Sequence, residues 1–401
     1  MHQVYNNLST YSADLFGVCS ALYELGGLIV MHDASGCNST YNTHDEPRWY
    51  TMDSMVYVSG LNEQDAILGN DERLIRDICD AAEEEKPKFI ALSRSVLPTY
   101  MGTDVRGIAR VIEKRTGIPA IGFATNGMDS YIMGAGAAYR AIAERFCTKT
   151  KEAAGQEALR VNLIGVTPLD FSVCGNVEAL SRAVAEMGFV IQSNWSMGCT
   201  LEELKTAPDA DVSLVVSTTG LPAALYLERT FGVPYVIGLP VGKTAWKEIR
   251  RLLVDAAKSK QSRSLYAGVQ SAAADNTSVC IVGEAVHSAA LRYSLEQDCG
   301  CNRVSVLCPL EKDAGVLRPT DHRVTDEAGI TAILNRADCV IADPIYRRVT
   351  DPSICFVDDP HDACSGRMYH DSGWLYIGES TGDDLSQMLC RMAEKESRVR
   401  V

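Results

Sequence analysis

The residues best equipped for chemistry sit in short polar loops that each follow an apolar run. After "GGLIV" comes "MHDASGCNST" (31–40), where His32, Asp33 and Cys37 share a turn with Gly36. Three uses are open to Cys37: a packed thiol, a nucleophile with His32 or His44 as its base, or a metal ligand held out at the end of a strand. "THDEPRWY" (43–50) sets His44, Asp45, Glu46 and Arg48 beside Trp49 and Tyr50, a mixture suited to an interface or lid and equally to substrate contact. "SRSVLP" carries Arg94, "GEAVHS" His287 and "DPIYRR" Arg347, while "DDPHDACSGRMYHDSGW" (358–374) concentrates His361, Cys364, Arg367 and His370. Histidines and carboxylates of this kind give and take protons near neutral pH. Taken singly, each loop also reads as ordinary helix capping.

Other motifs exclude chemistry. The chain has 14 cysteines but no C-x-x-C, and its one close pair is Cys299 and Cys301, so neither a zinc ribbon nor a contiguous cluster-binding run is present. Any metal site must gather ligands from far apart. "LPVGKT" lacks the first glycine of a phosphate loop at the required spacing, and "GAGAAYRA" (134–141) has Tyr139 where a dinucleotide fingerprint needs its third glycine. Gly134 and Gly136 are better explained by close helix packing.

The elements that position these loops alternate along nearly the whole chain. "GGLIV", "KFIALS", "PAIGF", "VNLIGV", "VSLVVS", "YVIGL", "SVCIVG", "VSVLC" and "CVIAD" read as strands buried on both faces of a parallel sheet. Amphipathic helices lie between them: Val177, Leu180, Val184 and Met187 share a face after a cap at Asn176, as do Trp246, Ile249, Leu253 and Ala256, and Val105, Ile108 and Ile112. "EKRTGIPAIGF" (113–123) and "ERTFGVPYVIGL" (228–239) repeat one pattern, a helix ended by Gly and a strand entered through Pro. The expected fold class is therefore α/β, with three Rossmann-like domains and parallel sheets at 1–150, 151–270 and 271–401. In such sheets ligands gather beyond the carboxyl ends of the strands, where the loops above lie.

Of 401 residues, 46% are hydrophobic and 22% charged, as in ordinary globular domains. A net charge of −14 argues against nucleic acid as a partner. No apolar run reaches the ~18 residues of a membrane span, and the first residues show no signal-peptide pattern, so a cytoplasmic protein with no membrane association is the expectation.

In this order the motifs resemble those of nitrogenases and nitrogenase-like reductases, the component 1 family. "VMHDASGC" resembles the family's H-G-P-x-G-C loop. "SGLNEQDAILGNDERL" resembles its E-x-D-x-x-x-G-x-x-x-L segment through Glu63, Asp65 and Gly69, with Leu74 one position beyond the motif's leucine, and "MGTDVRGI" its G-x-D-[IL] segment. The likeness runs from about residue 10 to 360. It implies a nitrogenase component 1-like fold and a cluster-binding role for Cys37, with the small residues before it, Gly36 among them, letting backbone N–H groups approach the cluster. Cys19, 18 residues earlier, matches a second ligand position roughly, and where the family places its next cysteine this chain has Ser95 and Val96.

The resemblance therefore implies a simpler arrangement than an eight-iron cluster. Cys37 and Cys19 from each of two subunits would hold one four-iron, four-sulfur cluster at the interface of a homodimer or of a heterodimer with a related chain. An ATP-hydrolysing iron protein would dock transiently and feed low-potential electrons to a small unsaturated, tetrapyrrole-like substrate; dinitrogen reduction is not implied, and a further metallocofactor is left open. His44, Glu46, Arg94, His287, Arg347 and His361 are the candidate acids, bases and substrate contacts. The alternatives are a non-catalytic scaffold for metallocluster assembly and a substrate-binding α/β module without a cluster.

Overall fold

The continuous apolar runs become parallel strands, enclosed on both faces as their lack of alternation requires. The structure, a computed structural model, describes residues 5–34, 36, 41, 46–150, 158–268, 278–372 and 377. Three parallel sheets follow one another along the chain, and each of the segments 1–150, 151–270 and 271–401 holds one of them.

The first unit contains α1 (Asp14–Leu22), β1 (Leu28–His32), β2 (Val56–Val58), α2 (Glu63–Leu68) and α3 (Asp71–Glu85). It continues with β3 (Ile90–Arg94), α4 (Val96–Met101), α5 (Val105–Thr116), β4 (Ala120–Gly122) and α6 (Tyr131–Phe146). The second begins with β5 (Arg160–Val166), α7 (Pro168–Phe171), α8 (Asn176–Glu186), β6 (Val190–Ser196) and α9 (Leu201–Lys205). Then come β7 (Val212–Val215), α10 (Leu221–Phe231), β8 (Tyr235–Ile237), α11 (Lys243–Ser259) and β9 (Arg263–Ser264). The third contains β10 (Ser278–Val282), α12 (Ala285–Gln297), β11 (Arg303–Cys308) and β12 (His322–Arg323). It ends with α13 (Glu327–Leu334), β13 (Cys339–Ala342), β14 (Cys355–Asp358) and α14 (Asp362–Ser365).

The sheet orders are β2-β1-β3-β4, β6-β5-β7-β8-β9 and β12-β11-β10-β13-β14. In each, two neighbouring strands send their chains to opposite sides: β1 and β3, β5 and β7, β10 and β13. Such a switch point leaves a crevice beyond the strand ends. The repeated segments match in space as well. Gly117 and Gly232 end α5 and α10 in the left-handed region (φ 73° and 70°), and the Pro that follows leads into β4 and β8.

Two local expectations shift. The cap of α8 is Gly175 at φ 95°, with Asn176 in the first turn and its amide donating back to Phe171 O at 3.0 Å. Residues 5–8 do not stay with the first unit: Asn6, Asn7 and Leu8 donate their backbone N–H groups to Glu327 Oε2 at the start of α13. The run "WLYIG" (374–378), whose apolar residues predict a final strand, lies, apart from Ile377, outside the described residues.

The units share one core. A single apolar cluster runs from Leu15 through Leu163 and Leu253 to Val357. At the α1–α6 crossing, added Cβ atoms on Gly17 and Gly134 would lie 2.1 Å from Tyr131 O and 1.7 Å from Asp14 O, so the helices touch backbone to backbone. That agrees with the packing role read for Gly134 in the sequence.

Candidate functional site

Two of the three switch points converge on one buried group of acids and histidines. In the second unit Asp170, on α7 beyond β5, accepts Ser217 Oγ from beyond β7 at 2.6 Å. Tyr131, the first residue of α6 in the first unit, donates its hydroxyl to the other Asp170 oxygen. From the third unit His361 brings Nε2 to 3.3 Å from that same Oδ1. The alignment is not that of a hydrogen bond, and the contact is an ion pair when His361 is protonated.

Residues of the third unit complete the group. Glu284, beyond β10, is fully buried; it accepts both the N–H and the hydroxyl of Thr218 and caps α12 through the N–H of His287. His287 Nε2 lies 3.2 Å from Asp359 Oδ2. Asp343, beyond β13, accepts the His361 N–H at 2.9 Å and Ser365 Oγ at 2.6 Å. Asp170, Cys174, His287, Asp359, His361 and Ile377 border a cavity of about 30 Å³, room for a water-sized group. His361 is 9% exposed, lies edge-on to Tyr11 and meets Tyr131 at a tilt. Its Nδ1 has no hydrogen-bond partner among the described residues.

The charges explain the proton affinities. Burial pushes His361 toward its neutral form, but Asp170, helped by Asp343 and Asp359, more than offsets this, and its pKa rises. His287 rises in the same way, burial opposing and Asp359 prevailing. Burial raises Glu284, with the nearby Asp170 adding to it, and burial likewise raises Asp343. These acids and histidines therefore hold their protons more tightly than the free groups do.

The other sequence candidates lie elsewhere. Arg94 donates to Thr125 O at 3.0 Å and Thr103 O at 2.6 Å, tying together loops at the ends of β3 and β4. Arg347 is half exposed, pairs with Asp358 and stacks on Phe356. Glu46 is fully buried and holds Arg48 at 2.6 Å, with Tyr41 donating to its other oxygen at 3.3 Å. His32, one base considered for Cys37, makes a 2.8 Å hydrogen bond to Ser59 Oγ. Cys37 and His44 lie outside the described residues, and Gly36 is exposed. Residue pattern alone does not single out Tyr131, Asp170, Ser217, Glu284, Asp343 or Asp359, although most lie in loops that directly follow an apolar run, such as "TPLDFSVCGN" after "VNLIGV", "STTGLP" after "VSLVV" and "DPIYRR" after "CVIA". The signal available is position after a strand at a switch point; residue type does not separate Asp170 from the other acids.

A cluster needs thiolates, and the described residues do not fit one. Cys19 is enclosed in the core on α1, its thiol pushed strongly up by burial and by the neighbouring Glu46. Ser95 is likewise buried, with no hydrogen-bond partner for its Oγ among the described residues. No group of three or more His, Cys, Asp and Glu suited to a metal occurs among the described residues. No helix among them is long and apolar enough to cross a membrane.

Comparison with known proteins bears on the family and the fold. Residues 15–328 match the family described as nitrogenase component 1 type oxidoreductase. The nitrogenase iron-molybdenum cofactor biosynthesis protein NifE of Clostridium pasteurianum is 22% identical over 213 residues, 52% of this chain and 45% of that one. One of the subunits of the light-independent protochlorophyllide reductase of Gloeothece citriformis is 25% identical over 181 residues, 43% of this chain and 36% of that one. The chain thus spans about half or less of these relatives' length. The structure of nitrogenase Cp1 at pH 6.5 superposes with a TM-score of 0.69 at 16% identity, covering 99% of this chain and 94% of the other.

Proposed function

The chain belongs to the nitrogenase component 1 type oxidoreductase family, and on that premise we propose that it is a nitrogenase-like reductase component. In this reading it takes low-potential electrons from an ATP-hydrolysing iron protein and uses the histidine-lined crevice to protonate an unsaturated, tetrapyrrole-like substrate. The carrying observation is His361: nine-tenths buried at the cavity, paired with Asp170 and with no hydrogen-bond partner for Nδ1 among the described residues. Each electron added to a conjugated system is followed by a proton, and an imidazolium held by a carboxylate is a suitable donor. Asp170 orients His361 and favours its charged form; Tyr131 and Ser217 fix Asp170 in turn. His287 with Asp359 forms a second pair at the same cavity. The cavity has room for a water-sized group, so in this reading an organic substrate would lie outside it and take its proton from His361 across it.

The iron–sulfur cluster implied by the family would supply single electrons. Cys37 is the ligand this reading relies on, and Cys19, enclosed on α1, would have to be uncovered to join it. A protein partner is supported by α2 and α4, which touch and expose Ile67, Leu68 and Tyr100 at 74%, 82% and 77%. Apolar area of this kind marks an interaction surface.

A second reading, a scaffold for metallocluster assembly, is favoured by the similarity to NifE. Anaerobic purification separates the two. The reductase reading expects a cluster EPR signal after dithionite reduction and substrate turnover with an iron protein. Release of an intact metallocluster without turnover supports the scaffold, and a protein without iron or acid-labile sulfide contradicts both.

A further inference from the structure

A second cavity, about 900 Å³ in volume, opens between α6, α10 and residues 312–315, so that all three units contribute to it. Its apolar wall comes from Met133 and Ala137 on α6 and from Leu221, Pro222 and Leu225 on α10. Met133 and Leu225 remain 37% and 45% exposed. The volume lies within the roughly 300–1,000 Å³ of small-molecule sites.

The charges at this groove are unequal. Glu228 already accepts Ser262 Oγ, and Asp313 accepts the Gly315 N–H at 2.8 Å and lies 3.4 Å from Arg323. Arg140 pairs with Glu144 at 2.7 Å. That leaves Arg229 and Lys312, both exposed and both lining the groove, with side chains that have no partner among the described residues. In a chain of net charge −14, two unpaired cations beside an apolar wall form a local anion-attracting patch. The loop that presents Lys312 is pinned: Val316 N–H donates to Asp313 O at 3.0 Å, and Ala314 and Gly315 both hold left-handed backbone (φ 52° and 70°).

We infer that this groove binds a small amphipathic anion, its apolar body against α6 and α10 and its carboxylate, phosphate or sulfonate head on Arg229 and Lys312. The inference does not depend on the reductase reading, because it uses neither a cluster nor the His361 cavity.

Fluorescence titration with anilinonaphthalene sulfonate, and with phenylnaphthylamine as the same apolar body without the anion, tests it on the full chain. The sulfonate should bind saturably. Arg229→Gln with Lys312→Gln should weaken it about tenfold, as the loss of two exposed charge contacts implies, and leave phenylnaphthylamine unchanged. Leu225→Asp should weaken both probes, and Lys258→Gln, an exposed charge on α11 that does not line the groove, neither. Absence of saturable binding, equal sulfonate affinity in the double variant, equal weakening of both probes in it, or no effect of Leu225→Asp would each overturn the proposal.

Discussion

At the scale of single residues, burial decides what each titratable group can do. Asp14 opens α1 and accepts N–H groups from Asn126 at 2.7 Å and Gly127 at 2.9 Å, yet burial outweighs those bonds and lifts its pKa from 3.8 to about 6. A carboxyl raised in the folded state binds its proton more tightly there than when unfolded. Its contribution is therefore present below about pH 4 and is lost as pH rises through about 6, to the extent of roughly 3 kcal/mol. We expect Asp14→Asn to flatten the denaturation free energy between those pH values; an unchanged slope would show that Asp14 is ionised in the native state. The two cysteines differ in the same terms. Cys37→Ala should lose bound iron and the reduced-cluster signal, whereas Cys19→Ala, a small cut in an apolar core, should keep both and lower stability by about 1–2 kcal/mol. Iron analysis and EPR on the two variants decide it, and cluster loss in both would return Cys19 to the ligand set.

At the scale of elements, the central strands are legible in the sequence and, β4 excepted, the edges are not. Every strand read from an apolar run within the described residues is present, because a strand flanked on both sides and covered on both faces is apolar throughout. The strands that no apolar run announces, β2, β6, β9, β12 and β14, are all sheet edges, where one flank is open and residues such as Gln192, Asn194, His322 and Arg323 are admitted. The site is legible in the same partial way. Loops after strands are the right places to look, and His287 and His361 are there. Asp170 is not distinguishable, because its importance comes from Tyr131 and His361, 39 and 191 positions away in sequence. The helix crossing gives a sharp expectation at this scale. Gly134→Ala would drive a methyl into the backbone of α1 and should cost about 3 kcal/mol or more in a urea melt, against a loss of under about 1 kcal/mol if the crossing could relax.

At the scale of the whole molecule, polar bolts hold the units in register around the crevice. Arg48 joins Glu46, Glu24 and the Ser20 carbonyl, while Glu24 also accepts the Gly198 N–H at 2.7 Å from the second unit. Removing the cation strands two buried carboxylates, so Arg48→Met should destabilise by about 3–5 kcal/mol in denaturant unfolding; a loss below about 1 kcal/mol would mean the network is not formed. Register matters because Tyr131, Asp170 and His361 come from three different units. The most direct test of that assembly is NMR titration of nitrogen-labelled histidine in the wild type and in Asp170→Asn. His361 should titrate above the ordinary 6.5 in the wild type and at lower pH in the variant, which has lost the carboxylate that raises it. An unchanged His361 pKa in the variant, or a wild-type value below the ordinary one, would contradict the pairing of His361 with Asp170 on which the proton-donating role rests.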